Sequence, residues 1–144
     1  MAPLREILGN VLLGLDHVGL AVKDLEVGIG NWDVLGLKPV HQERNVEQGI
    51  DEAMLAIPGD TYIQLIAPLG PDTTIAKFIE KNGEGLQQIA YRVTDINQAM
   101  TLISEAGLRL IYPEPRNGTS NSKINFIHPK DAGGILVELV EHSS

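Results

Sequence analysis

Four polar side chains interrupt runs that otherwise read as buried strand. His17 lies within Leu15 to Val22, Gln64 within Tyr62 to Ala67, Gln88 just ahead of Ile89-Ala90, and Glu138 within Ile135 to Val140. Burying a carboxylate without partners is costly or pushes its pKa upward. A divalent cation would offset that cost. One imidazole nitrogen with amide and carboxylate oxygens suits a borderline or hard first-row ion. The expected metal set is therefore His17, Gln64, Gln88 and Glu138, with cobalt, manganese, nickel, zinc and magnesium all suited to it. Taken singly, a strand histidine is more often a hydrogen-bonded core residue than a ligand, and an unfilled polar network is the competing reading.

What brings the four together is an internal repeat. Asp16-His17-Val18-Gly19-Leu20-Ala21-Val22-Lys23-Asp24-Leu25 aligns with Gln87-Gln88-Ile89-Ala90-Tyr91-Arg92-Val93-Thr94-Asp95-Ile96. The register then continues without a gap: Leu25, Ile29, Trp32 and Leu35 fall on Ile96, Met100, Ile103 and Ala106, and Gly36-Leu37 on Gly107-Leu108. His17 thus corresponds to Gln88. The closing strands match too, so Gln64 corresponds to Glu138. A pseudo-two-fold axis maps each pair onto itself and lets all four converge.

Each half reads as a strand, a helix and further strands. Asp24 and Asp95 suit helix N-caps, with Gln98 placed for a capping box. Apolar residues after each Asp recur at helical spacing, and Gly36 and Gly107 stand where a left-handed terminus is expected. Strand-like runs follow over Leu37 to Glu43, Ile50 to Ile57 and Thr61 to Ala67, then over Leu108 to Tyr112, Lys123 to His128 and Gly134 to Val140. The expected fold is α+β: two paired βαβββ units forming a cupped mixed β-sheet. It makes one domain over residues 1–144, with repeats at about 12–68 and 84–141 joined by a short helix at about 74–81.

Composition narrows the function. The chain has 144 residues and no cysteine, so thiolate chemistry and disulfide scaffolds are excluded. Its formal net charge of −8 repels phosphate backbones, so no nucleic-acid partner is expected. No apolar run near the start is long enough for a membrane span, and none has the flanks of a secretory signal. A cytoplasmic protein without a membrane partner is expected.

Asp16-His17-Val18-Gly19, the paired repeats and Val137-Glu138-Leu139 resemble the vicinal oxygen chelate superfamily, which includes glyoxalase and bleomycin-resistance proteins. Four further segments are similar to the methylmalonyl-CoA epimerase family. They are Glu47-Gln48-Gly49-Ile50-Asp51-Glu52, Gln64-Leu65-Ile66-Ala67-Pro68-Leu69, Ile75-Ala76-Lys77-Phe78 and Asn125-Phe126-Ile127-His128-Pro129-Lys130. The resemblance implies a metal held at His17, Gln64, Gln88 and Glu138. Gln88 is a departure, since a His-His pair commonly stands where this chain has Gln87-Gln88.

The resemblance also implies the reaction: inversion of the carbon between a thioester and a carboxylate, through an enolate. Such chemistry needs an electrophile for the thioester oxygen and two proton carriers flanking the carbon. The resemblance assigns the carriers to Glu52 and Glu138. Glu52 shares a strand face with Met54 and Ala56, and an apolar setting would raise its pKa toward neutrality. Arg116 and Ser122 are candidates for the substrate carboxylate, and Lys123 and Lys130 for phosphates of an acyl-CoA. A homodimer is the family expectation. The alternatives are a glyoxalase-like lyase or isomerase and a non-catalytic protein that sequesters small molecules. An extradiol dioxygenase is disfavoured because only His17 occupies a ligand slot.

Overall fold

Two aspartates start the two principal helices. Asp24 Oδ1 accepts from Val27 N at 3.0 Å, and Asp95 Oδ1 accepts from Gln98 N at 3.0 Å, each satisfying an amide that has no partner within the helix. The computed structural model describes residues 3–143. Its elements run α1 (Leu4–Leu8), β1 (Leu12–Ala21), α2 (Leu25–Asp33), β2 (Pro39–Asn45), β3 (Ile50–Ile57), β4 (Thr61–Pro68), α3 (Thr74–Asn82) and β5 (Gly85–Val93). The chain continues through α4 (Ile96–Glu105), β6 (Arg116–Asn117), β7 (Lys123–Ile127) and β8 (Leu136–Glu141), with short 3-10 turns at Gly9–Val11, Thr119–Asn121 and Pro129–Asp131. The expected left-handed residues are present, with Gly36 at φ 76° and Gly107 at φ 85°. No helix among the described residues is long and apolar enough to cross a membrane.

The chain forms two compact units. One is His17–Gln87, with strands in the order β2-β3-β4-β1; β1 and β4 are parallel and the other neighbours antiparallel. Alternation along each strand divides its side chains between two faces. On one face α2 lays Leu25, Ile29 and Trp32 over Ala53, Leu55, Leu65 and Ala67. On the other, Ile75, Phe78 and Ile79 of α3 cover Ala21, Ile50 and Ile66.

The second unit contains the residues up to Asp16 and those from Gln88 onward. Its strands run β5-β8-β7-β6, with β5 and β8 parallel and the rest antiparallel. Ile96, Ala99 and Ile103 of α4 pack on Val93, Ile127 and Leu139, while Ala90, Ile124, Phe126 and Val140 lie on the opposite face. The segment ahead of β1 adds Leu8 and Val11 to the α4 core. Each large apolar side chain buried there contributes about 1.5–3 kcal/mol.

The expected strand Leu108 to Tyr112 does not form. The segment runs beside β7 but makes only a single bridge, Leu110 with Ile127, flanked by Ile111 N to Phe126 O and His128 N to Arg109 O. The reason is Asn125, which is fully buried. Its Oδ1 accepts from Tyr112 N at 3.1 Å and its Nδ2 donates to Tyr112 O at 3.0 Å, so a side-chain amide replaces the next rung of the ladder. A two-residue strand, β6, takes the edge position instead. The other end of the segment is clasped by Asp131, which accepts from Arg109 N and from both ends of its guanidinium at 2.8–2.9 Å.

Two outcomes follow from this segment. Asn125→Leu strands the Tyr112 amide and carbonyl and should cost about 2 kcal/mol, read as a lower urea midpoint at unchanged slope. Arg109 holds the Asp131 carboxyl well below the usual carboxylate range. The clasp therefore stabilises the fold fully above the unfolded carboxyl value, about pH 4, and loses that contribution as pH falls toward the folded value. Thermal melts of parent and Asp131→Ala should differ at pH 6 and converge under strong acid.

Candidate active site

In the His17–Gln87 unit, cross-strand register fixes which side chains share a face. Gly19 pairs with Gln64 and His17 with Tyr62 across the parallel β1–β4 pair. His17 and Gln64 are thus diagonal neighbours, offset by two residues, on the face opposite α2. Across β3 and β4, Met54 pairs with Gln64 and Glu52 with Ile66, which adds Glu52 to the same face. Relative exposures are 4% for His17, 3% for Gln64 and 1% for Glu52. Gln64 Nε2 donates to Glu52 Oε2 at 3.1 Å.

In the other unit the arrangement repeats. Gln88 pairs with Leu136 and Ala90 with Glu138 across the parallel β5–β8 pair. Gln88 and Glu138 stand on the same diagonal as His17 and Gln64, each 6% exposed, on the face opposite α4. Phe126 lies directly across from Glu138. Arg116 pairs with Ile124, and Ile124 with Val140, so Arg116 shares this face with Glu138. Its guanidinium carbon lies 4.5 Å from the Tyr112 ring centroid, a cation–π contact that orients the charge.

The other candidates are placed differently. Ser122 is buried, tucked beneath Gly118, where an added Cβ would come within 2.7 Å of Ser122 Oγ and 2.6 Å of Ile124 Cγ2. Lys123 pairs with Glu141 and Asn117, on the face away from Glu138, and its Nζ donates to Asn117 Oδ1 at 2.7 Å. Lys130 is exposed on the 3-10 turn after β7, its amide donating to His128 Nδ1. His41 and His142 contact Glu43 Oε1 at 2.6 Å and Asp16 Oδ1 at 2.5 Å. Sequence reasoning missed Asp16 as the acceptor for Arg92 and His142; its place beside His17 within a buried strand was the available signal.

The buried donors are of the right type for a hard or borderline cation. Among the described residues, no three His, Asp or Glu side chains group as a metal site by themselves. A cation held by the expected set therefore relies on glutamine oxygens at two of four positions. The Glu52 contact engages the amide nitrogen of Gln64, not its oxygen. Adjacent Gln87 has a buried Oε1 without a hydrogen-bond partner, but strand alternation puts it on the face opposite Gln88.

Comparison with known proteins agrees with this architecture. Residues 16–126 match the model of the Glyoxalase/Bleomycin resistance protein/Dioxygenase superfamily. The ethylmalonyl-CoA/methylmalonyl-CoA epimerase of Cereibacter sphaeroides is 38% identical over 128 residues, covering 87% of this chain and 95% of that one. The methylmalonyl-CoA epimerase of Mycobacterium tuberculosis superposes with a TM-score of 0.91 at 52% identity, covering 94% of this chain and 92% of its own. That of Streptomyces coelicolor, in complex with 2-nitronate-propionyl-CoA, gives 0.89 at 38% identity, covering 92% and 99%. Its structures include variants of a glutamate and of a glutamine seventeen residues further on. This chain belongs to the Glyoxalase/Bleomycin resistance protein/Dioxygenase superfamily and, within it, to the methylmalonyl-CoA epimerase family.

Proposed function

We propose that this chain epimerises methylmalonyl-CoA, with His17, Gln64, Gln88 and Glu138 holding a divalent cation, cobalt foremost. The observation that carries the reading is the matched diagonal: two buried polar pairs at equivalent register on the two parallel strand pairs. A fold gains little stability from such pairs, because a buried hydrogen bond nets only about 0.5–1.5 kcal/mol after desolvation. When bound, the cation supplies Lewis-acid stabilisation of negative charge on the thioester oxygen.

The protein's own residues move the proton. One glutamate takes the proton from the carbon, whose C–H electron pair passes into the enolate. A second glutamate on the opposite face returns a proton to the same carbon, and inversion is complete. Glu138 is one carrier. For the other, the family resemblance points to Glu52. Its contact with Gln64 supports a different task for Glu52, and Glu47 is the stronger candidate. Glu47 is the only glutamate seventeen residues before a glutamine in this chain, and that glutamine is Gln64. This is the separation between the two residues altered in the Streptomyces relative. Glu47 lies in the exposed turn joining β2 to β3, whereas Glu52 is enclosed.

Arg116, steered by Tyr112 on the face of Glu138, meets the substrate carboxylate. Lys130 is the candidate for a CoA phosphate; Ser122 acts through the shape of the 118–122 turn, and Lys123 through a phosphate at the sheet's outer side. A second copy of the chain is the proposed partner, supported by exposed Leu13 and Leu15, which alternate on one face of β1.

The reading is tested by proton exchange at the α-carbon of methylmalonyl-CoA in deuterated buffer. Exchange is expected with parent protein, lost on chelation and restored by cobalt; metal-independent binding without exchange would reject an epimerase. Glu47→Gln should lower exchange by about a hundredfold or more while CoA-ester binding persists. Should Glu52→Gln instead abolish exchange at full metal content, the carrier is Glu52. Elemental analysis of His17→Ala should show metal loss relative to parent; equal content removes His17 from the set.

A further inference from the structure

We propose that Glu52 is a positioning residue that fixes which end of the Gln64 amide is presented for ligation. The inference rests on the reading of Gln64 as a metal ligand. A glutamine amide can turn about its terminal bond and exchange oxygen for nitrogen at nearly the same place. Only the oxygen can bind a cation. An ionised carboxylate is an acceptor alone, so a carboxylate beside the amide selects the orientation with nitrogen facing it. Here Gln64 Nε2 donates to Glu52 Oε2 at 3.1 Å, and the oxygen is turned away from Glu52.

Burial makes the selection strict. Glu52 and Gln64 are 1% and 3% exposed, so water competes poorly for either group. Their placement is set by the β3–β4 register, in which Glu52 and Gln64 are diagonal neighbours on one face. On the other side of β3, Glu43 of β2 lies directly across from Glu52. His41 Nε2 contacts Glu43 Oε1 at 2.6 Å. The face therefore orders His41, Glu43, Glu52 and Gln64 inward from the edge strand, and the innermost member is the amide whose orientation matters.

This arrangement explains why a carboxylate stands between Ile50 and Met54 on its face of β3, a place suited to an apolar residue. It also adapts a four-donor set with two amides. An imidazole has its ligating nitrogen fixed by ring geometry, whereas each glutamine must be held the right way round. Outer partners of metal ligands typically account for about 10–100-fold in affinity.

The test is cobalt titration of the purified full chain by calorimetry and by the visible absorption of bound cobalt, with circular dichroism confirming the fold. Glu52→Leu, which cannot accept a hydrogen bond, should bind cobalt about 10–100-fold more weakly than parent. Glu52→Gln, which keeps an acceptor oxygen but adds a donor able to pair with the Gln64 oxygen, should fall between parent and Glu52→Leu, and Glu52→Met replaces the leucine variant if that one does not fold. Gln64→Ala should also weaken binding, and Glu52→Leu combined with Gln64→Ala should bind no more weakly than Gln64→Ala alone. Parent-like cobalt affinity in Glu52→Leu, with Gln64→Ala impaired, overturns the positioning role and leaves Gln64 a ligand. Parent-like affinity in Gln64→Ala overturns both.

Discussion

Parallel pairing between the first and last strand of each unit is the constraint on which the site depends. In a parallel ladder the register decides which side chains become diagonal neighbours, and a slip of one residue would turn each strand's set to the opposite face. Here β1 meets β4 so that His17 neighbours Gln64, and β5 meets β8 so that Gln88 neighbours Glu138. A parallel pair needs a crossover between its strands. The intervening helix and antiparallel strands provide it and are anchored on the face opposite the polar pairs.

That division of faces is how the fold tolerates buried polar groups. Apolar burial under α2 and α4 supplies the stabilisation, through Leu25, Leu55 and Leu65 in one unit and Ile96, Ile103 and Leu139 in the other. The opposite faces carry amides, an imidazole and carboxylates, whose desolvation must be met by hydrogen bonds or by a ligand. Glu52 and Gln64 meet part of it with each other. The result is a scaffold in which one side of the strands packs under α2 and α4, while the other carries the polar pairs beside further apolar clusters.

The repeats are not copies in their third elements. The first repeat completes β2 as a seven-residue edge strand. The second uses the Asn125 side chain to bind the Tyr112 backbone and then spends only Arg116 and Asn117 on an edge strand. The consequence is chemical as well as structural. The shortened strand puts Tyr112 under the Arg116 guanidinium and holds a fixed positive charge on the face of Glu138.

Much of this was legible from residues alone, where the signal was local. The Asp24 and Asp95 caps, the left-handed glycines, the α3 span and the duplication all follow from near-neighbour spacing, since capping and helical periodicity act within a few residues. Duplication also pointed to His17, Gln64, Gln88 and Glu138, because equivalent positions in two similar units occupy equivalent places. Other features depended on pairings far apart in the chain. The apolar run Leu108 to Tyr112 carries strand character, yet a side chain thirteen residues beyond Tyr112 takes its hydrogen bonds. Lys123 reads as a phosphate contact, and only its register with Glu141 shows which face of the sheet it occupies. Glu52 reads as an acid or base from its own strand, and only the β3–β4 ladder reveals the Gln64 amide as its hydrogen-bond partner. Local sequence determines which elements form and which side chains alternate along them; which face meets which partner is decided by strand register, a long-range choice made by the packing of the whole sheet.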